Sequence, residues 1–165
     1  PVNHELFDFE KLFLSDTNGS NKISLDKWIE NKVQNYDEDL LLQMDIEGSE
    51  FDIFNNTTDE YFQKFRIIVV EFHFLNNLIL KNKFEKINNT FQKILKFFYI
   101  VHAHPNNASM LTKFHDMLIP NTLEVTFIRK DRLKKLKIRD KFMNIDDIKN
   151  SPFYNEINLP ELWWK

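Results

Sequence analysis

The chain contains no cysteine. That excludes disulfides, thiolate zinc sites and thiol nucleophiles, and it favours a cytoplasmic setting. Glycine is almost as scarce: Gly19 and Gly48 alone, too few to assemble a Gly-rich dinucleotide or phosphate loop. No apolar run approaches the roughly 18 residues needed to span a bilayer, and the polar start PVNHELFDFEK lacks a signal-peptide core, so no membrane partner is expected. Excess positive charge is missing too. A net charge of −3 and a pI near 6.0 give no global attraction to nucleic acid, and LKKLKIR at 133–139 reads as a solvated surface segment. Asn-x-Ser/Thr triplets such as Asn107-Ala108-Ser109 follow from the abundance of asparagine and are discounted as glycosylation sites.

What is present is apolar and aromatic. With 165 residues, 42% of them hydrophobic and 17 of them Phe, the composition predicts a single domain with an aromatic-rich core. The first residue is Pro1 rather than Met, as expected of a fragment. The most informative stretch is DLLLQMDIEGSEFDIF at 39–54, where an apolar run stops at Asp45-Ile46-Glu47-Gly48. Leu40, Leu41, Leu42 and Met44 predict a strand buried on both faces. Gly48 permits a sharp turn, and Ser49 and Glu50 suit the first turn of a helix carrying Phe51, Ile53 and Phe54. Ligands of open parallel α/β sheets bind outside the carboxyl ends of the strands, which is where Asp45 and Glu47 project. The alternative is that both merely charge a solvated turn.

Along the rest of the chain, KLFLS at 11–15 reads as a short strand and DTNGSN at 16–21 as a loop. Ser24 can cap a helix whose Leu25, Trp28, Ile29 and Val33 share a face. RIIVVEFHF at 66–74 predicts a second buried strand ending in Glu71 and His73. Phe84, Ile87, Phe91, Ile94, Leu95 and Phe98 mark a helix of about 15 residues, by their three- and four-residue intervals. FYIVHAH at 98–104 is a third main strand. LEVTFIRK at 123–130 follows a long polar connection as an alternating, antiparallel edge strand. This order indicates an α/β sheet built from right-handed crossovers. Residues 131–165 have weak periodicity and are expected to pack irregularly as a C-terminal tail.

Asp45 and Glu71 each close an apolar strand. If those strands are adjacent and parallel, the two carboxylates lie roughly 5 Å apart and can share a proton or a hard divalent cation such as Mg. His73, two residues past Glu71, shares its face and can act as a general base, or serve as a hydrogen-bonded structural histidine. His102 and His104 form a His-x-His pair that would suit a metal, followed by a polar turn at Pro105-Asn106-Asn107.

In combination, SLDKWI at 24–29, LLQMDIEGSE at 41–50, IVVEFHFL at 68–75, YIVHAHPNN at 99–107 and IPNTLEVTFIRK at 119–130 resemble the FkbM-type methyltransferases. These are S-adenosylmethionine-dependent enzymes that mostly methylate oxygen, often on sugars or natural products. The resemblance implies the second half of a class I methyltransferase, Rossmann-like α/β fold: a mostly parallel sheet with its last strand antiparallel. It also implies that S-adenosylmethionine is the cofactor and a small-molecule or saccharide hydroxyl the acceptor. Asp45, Glu47 and His73 would be catalytic, Asp45 and Glu71 would take any metal, and His104, Asn106 and Asn107 would line the acceptor side. The glycine-rich turn and the ribose-binding acid of that family belong to earlier strands, so the isolated chain is expected to bind the cofactor weakly and to be inactive. A noncatalytic remnant, self-associating through an exposed sheet edge, and a metal-dependent hydrolase using Asp45, Glu71 and the histidines are the competing readings.

Overall fold

The computed structural model describes residues 7–33, 38–137 and 144–163. Pro1, the last two residues of the basic stretch and Trp164 lie outside the described residues. The main sheet has four strands: β3 (Leu40–Met44), β4 (Phe65–Phe72), β5 (Phe98–Pro105) and β8 (Leu123–Arg129), ordered β3-β4-β8-β5. β3 and β4 are parallel, and β8 runs antiparallel to both β4 and β5. The antiparallel direction predicted for the last strand is therefore present, but its predicted edge position is not. β8 lies inside the sheet, with strands on both sides. Its alternation reflects one closely packed face and one polar face: Leu123, Val125 and Phe127 are buried, and Glu124 and Thr126 are half-buried.

A parallel pair of consecutive strands needs a crossover, and α2 (Glu50–Asn56) and α3 (Asp59–Phe62) provide it between β3 and β4. α4 (Lys81–Phe97) connects β4 to β5. α2 and α4 cover the sheet face that carries Leu42, Met44, Ile68, Val70, Phe72 and Phe127, all buried. Phe72 is the centre of this layer. Its ring stacks on Phe51 at 5.2 Å between centroids and meets Phe91 at 5.0 Å and Phe54 at 5.9 Å. Truncating such a residue to Ala costs about 3–5 kcal/mol, more than any cap or surface ion pair described below. Lys93 of α4 ties the two helices together, donating from Nζ to the Asn55 carbonyl at 2.9 Å and to that of Thr57, where α2 ends.

α1 (Leu25–Lys32) begins as its sequence suggests, with Ser24 Oγ accepting from the Lys27 amide at 3.2 Å. Leu25 and Ile29 enter the core, whereas Trp28 remains 39% exposed. Before α1, β1 (Phe13–Leu14) and β2 (Lys22–Ile23) form a short parallel pair around the 16–21 loop.

Two further expectations are corrected. β3 is buried on one face only: Leu41 is 65% exposed and Gln43 is exposed, because no strand pairs with the outer edge of β3 among the described residues and the helices cover the opposite face. The long connection before β8 holds a hairpin, β6 (Leu111–Phe114) and β7 (Met117–Pro120), closed by a two-residue turn in which His115 takes a left-handed φ of 51°. The described tail, from 131 to 137 and 144 to 163, contains no α-helix or strand. It packs through Ile157, Leu159 and Trp163, whose Nε1 donates to the Leu118 carbonyl at 2.9 Å. Among the described residues no helix is long and apolar enough to cross a membrane.

Candidate functional site

β3 ends at Met44, and the chain turns through Asp45, Ile46, Glu47 and Gly48 into α2. Two left-handed residues make the turn: Glu47 at φ 56° and Gly48 at φ 110°. Glycine carries the second at no steric cost, while for Glu47 that region is uncommon and mildly strained. The turn folds around Glu50, whose side chain is fully buried. Glu50 Oε1 accepts from the backbone amides of Ile46 at 3.3 Å and Gly48 at 3.0 Å, and lies 3.0 Å from His73 Nδ1. If Glu50 is ionised, the proton of this contact sits on His73 Nδ1, and Nε2 points to the other side of the ring.

Nε2 faces a set of acids: Glu47 Oε2 at 3.4 Å, Glu71 Oε2 at 3.4 Å and Asp45 Oδ1 at 3.8 Å. The sheet supplies this convergence. Parallel pairing aligns Met44 with Val70, so Asp45 and Glu71 emerge side by side at the carboxyl ends of neighbouring strands, and His73 follows one turn of the pleat later. One ligand atom from each of Asp45, Glu71 and His73 fits within a 4.8 Å span, well inside the reach of a shared hydroxyl or cation. Asp45 and Glu47 are exposed, at 53% and 85% of their side chains, whereas His73 is buried, so the cluster opens to solvent on its carboxylate side.

Burial pushes the Glu71 carboxyl up, and the charges of Asp45 and Glu124 add to the effect. The Asn106 amide, donating to Glu71 Oε1 at 2.9 Å, and His73 pull the other way. Glu71, Glu124 and His104 lie opposite one another across β4, β8 and β5, forming a polar row on the face the helices leave uncovered.

The structure thus brings together Asp45, Glu47, Glu71 and His73, with Asn106 attached through Glu71. Asn107 and His104 are not brought to that cluster. The Asn107 side chain holds the tail instead, donating from Nδ2 to the carbonyls of Ser151 at 2.8 Å and Tyr154 at 3.1 Å, and accepting at Oδ1 from the Ser151 amide at 2.8 Å. His104 is buried with Nε2 3.5 Å from Glu156 Oε2, and His102 Nε2 lies 3.2 Å from Asp147 Oδ1. The His-x-His pair is thereby divided between two tail carboxylates rather than joined at one point. Glu50 is the residue whose role sequence reasoning missed, having read it only as a first-turn helix acid. The signal was available: an acid three residues after Glu47, at the start of an otherwise apolar helix face, is buried once that face is.

The family profile of the methyltransferase FkbM domain matches residues 9–114, more than half of the chain. The matched segment contains the turn from Asp45 to Glu50, both cluster strands, and Asn106. β8 and the tail lie beyond it. No curated protein and no solved structure matches the chain.

Proposed function

Because the chain belongs to the methyltransferase FkbM domain family, we propose that its cluster of Asp45, Glu47, Glu71 and His73 is where an acceptor hydroxyl loses its proton to become the methylated oxygen. The observation that carries this reading is the pairing of His73 Nδ1 with the fully buried Glu50. It holds the ring with Nε2 pointing among Asp45, Glu47 and Glu71, the position from which a neutral imidazole would act as a general base. As the proton arrives at Nε2, the carboxylates of Glu47, Glu71 and Asp45 offset the new positive charge, and Asp45 orients the hydroxyl. Small molecules and saccharides carry such hydroxyls, and a cysteine-free composition supports a cytoplasmic setting for the reaction.

Family membership implies S-adenosylmethionine as methyl donor. The described residues do not form a cradle for it: they contain no glycine-rich turn, and at Gly48 the space above the backbone is filled by the Phe74 ring. We therefore expect the chain alone to bind this donor weakly. The carboxylates of Asp45 and Glu71 suit a hard divalent cation such as Mg, which would lower the pKa of a hydroxyl placed against it.

The test is methyl transfer to sugar hydroxyls with S-adenosylmethionine in large excess. His73→Gln should remove activity while the protein remains folded; full activity in that variant would refute the base. Activity that survives a chelator assigns deprotonation to His73 alone, and activity lost to the chelator and restored by Mg assigns it to the cation. A second reading has its own observation. The open outer edge of β3, with Leu41 65% exposed, suits a noncatalytic module that associates with another copy through this strand. A concentration-dependent dimer that Leu41→Lys abolishes, in a chain without transferase activity, would favour it. The hydrolase alternative has no such support, since the family match points to methyl transfer.

A further inference from the structure

The side chains that pair with His73 Nε2 are all carboxylates. Glu47 Oε2 and Glu71 Oε2 stand 3.4 Å from it and Asp45 Oδ1 3.8 Å, and among the described residues no lysine or arginine forms an ion pair with Asp45, Glu47, Glu50 or Glu71. With Glu50 ionised, the Nδ1 proton is taken and Nε2 meets these oxygens with a lone pair of its own. Acceptors do not hold one another, so the convergence calls for a cation between them, either a second proton on the ring or a metal ion. The spacing separates the two. An imidazolium N–H would draw one oxygen to about 2.7–2.9 Å, nearer than any of the three. Ligands bonded at about 2.0–2.2 Å to one four-coordinate ion stand roughly 3.4 Å from each other. That is the separation of Nε2 from Glu47 and Glu71.

The imidazole is also mounted as a metal ligand is. Its side chain is only 10% exposed, and fully buried Glu50 lies behind it, Oε1 3.0 Å from Nδ1. A carboxylate in that place orients a metal-bound histidine and makes it a better donor. The same Oε1 accepts from the amides of Ile46 and Gly48, in the turn that carries Asp45 and Glu47, so one buried acid sets the ring and two of the carboxylates facing it. Asp45 and Glu71 each bring an oxygen within 4.8 Å of the imidazole nitrogen and of one another, and Asp45 is exposed enough to close the remaining distance. Glu47 holds its left-handed φ of 56° at this same point, as residues of ligand clamps often do. The nitrogen decides the kind of ion. Mg prefers oxygen and keeps its waters, so it would meet the carboxylates alone, whereas zinc takes imidazole and carboxylate together. His102 and His104 offer no rival site, since each faces its own tail carboxylate.

We propose that Asp45, Glu71 and His73 form a zinc site, with Glu50 fixing the imidazole from behind and Glu47 or a water completing four ligands. For the reaction proposed above, zinc is then an off switch. An ion on Nε2 occupies the lone pair that would take the hydroxyl's proton, whereas Mg on the carboxylates leaves it open. Only this consequence rests on the methyltransferase reading. Calorimetric titration of the chain with zinc chloride and with magnesium chloride, free of any histidine tag and of methyl donor and acceptor, tests the site, and X-ray absorption at the zinc edge reads the ligands. One zinc per chain should bind, about a hundredfold or more tightly than Mg, with an imidazole among its ligands. His73→Gln should weaken zinc by about a hundredfold and leave Mg unchanged, and Glu50→Gln should weaken zinc by about tenfold or more. Asp45→Asn, at an exposed position, should cost a similar factor, and His102→Gln nothing. No zinc binding, binding that survives His73→Gln, a shell without imidazole, or loss of binding in His102→Gln would overturn the proposal. A chain that binds zinc in this way yet never transfers a methyl group would keep the site and lose only the switch. An active chain that takes up no zinc would lose the site alone.

Discussion

Two groups of histidines and carboxylates share the sheet face that α2 and α4 leave free, and they are used in opposite ways. At the exit of β3 and β4, one imidazole faces several acids, is gripped from behind by buried Glu50, and opens to solvent past Asp45 and Glu47. On β5, His102 and His104 each face one carboxylate, Asp147 and Glu156, from the tail that lies over them. The residue types are the same. What differs is whether the carboxylates arrive from a strand exit, where they converge and stay accessible, or from a covering segment, where each is taken up in fastening that segment down. The difference in surroundings follows from topology rather than from composition.

The contrast breaks most sharply by substitution at the open cluster. Asp45→Asn and His73→Gln should each lower methyl transfer by about 10²–10⁴-fold, the usual worth of a positioned acid or base, with little change in thermal midpoint. A midpoint that falls as far as activity would make these residues structural, like those of the second group. Glu50→Ala should reverse the balance. It strands the amides of Ile46 and Gly48 and the Nδ1 proton of His73, and should cost about 2–3 kcal/mol in denaturant titration along with activity. Glu156→Gln in the second group should lower stability by only about 1 kcal/mol and speed hydrogen exchange across residues 144–163, leaving turnover untouched. Loss of turnover there would mean the two groups communicate.

The smallest effect is one of pH. The Glu71 carboxyl is raised in the folded chain, so its protonated form is the one folding favours. Its contribution to stability is fully present below the unfolded carboxylate pKa and is lost as pH rises through the higher folded value. Glu71→Gln should consequently melt higher than the parent at neutral pH, with the difference shrinking as the solution is acidified. A parent that gains stability across that same rise in pH, relative to the variant, would reverse the assigned sign.

Much of the site was legible because a strand exit leaves a local mark: Asp45 and Glu71 are the first charges after apolar runs, and a crossover of this length makes such strands neighbours. The capped start of α1 and the extent of α4 were readable for similar local reasons. What escaped depended on partners distant in sequence. The interior place of β8 is set by which strands it pairs with, which alternation cannot express. The exposed face of β3 depends on what does not cover it. The β6–β7 hairpin lacks an Asn-Gly signal, its turn being His115-Asp116, and the fate of Asn107 was decided by Ser151 and Tyr154, more than forty residues on.

The interior position of β8 also orders events in time. β3, α2 and β4 are contiguous, so the cluster of Asp45, Glu47, Glu50, Glu71 and His73 can assemble from a short stretch of chain as it emerges. β5 cannot dock beside β4, because the place between them belongs to a strand made later, and until β8 arrives both inner edges stand unpaired. Long-range insertion of this kind slows folding and prolongs the exposure of sheet edges. The corner that holds the cluster would thus be among the first parts of the molecule to form, and the sheet that supports it among the last to close.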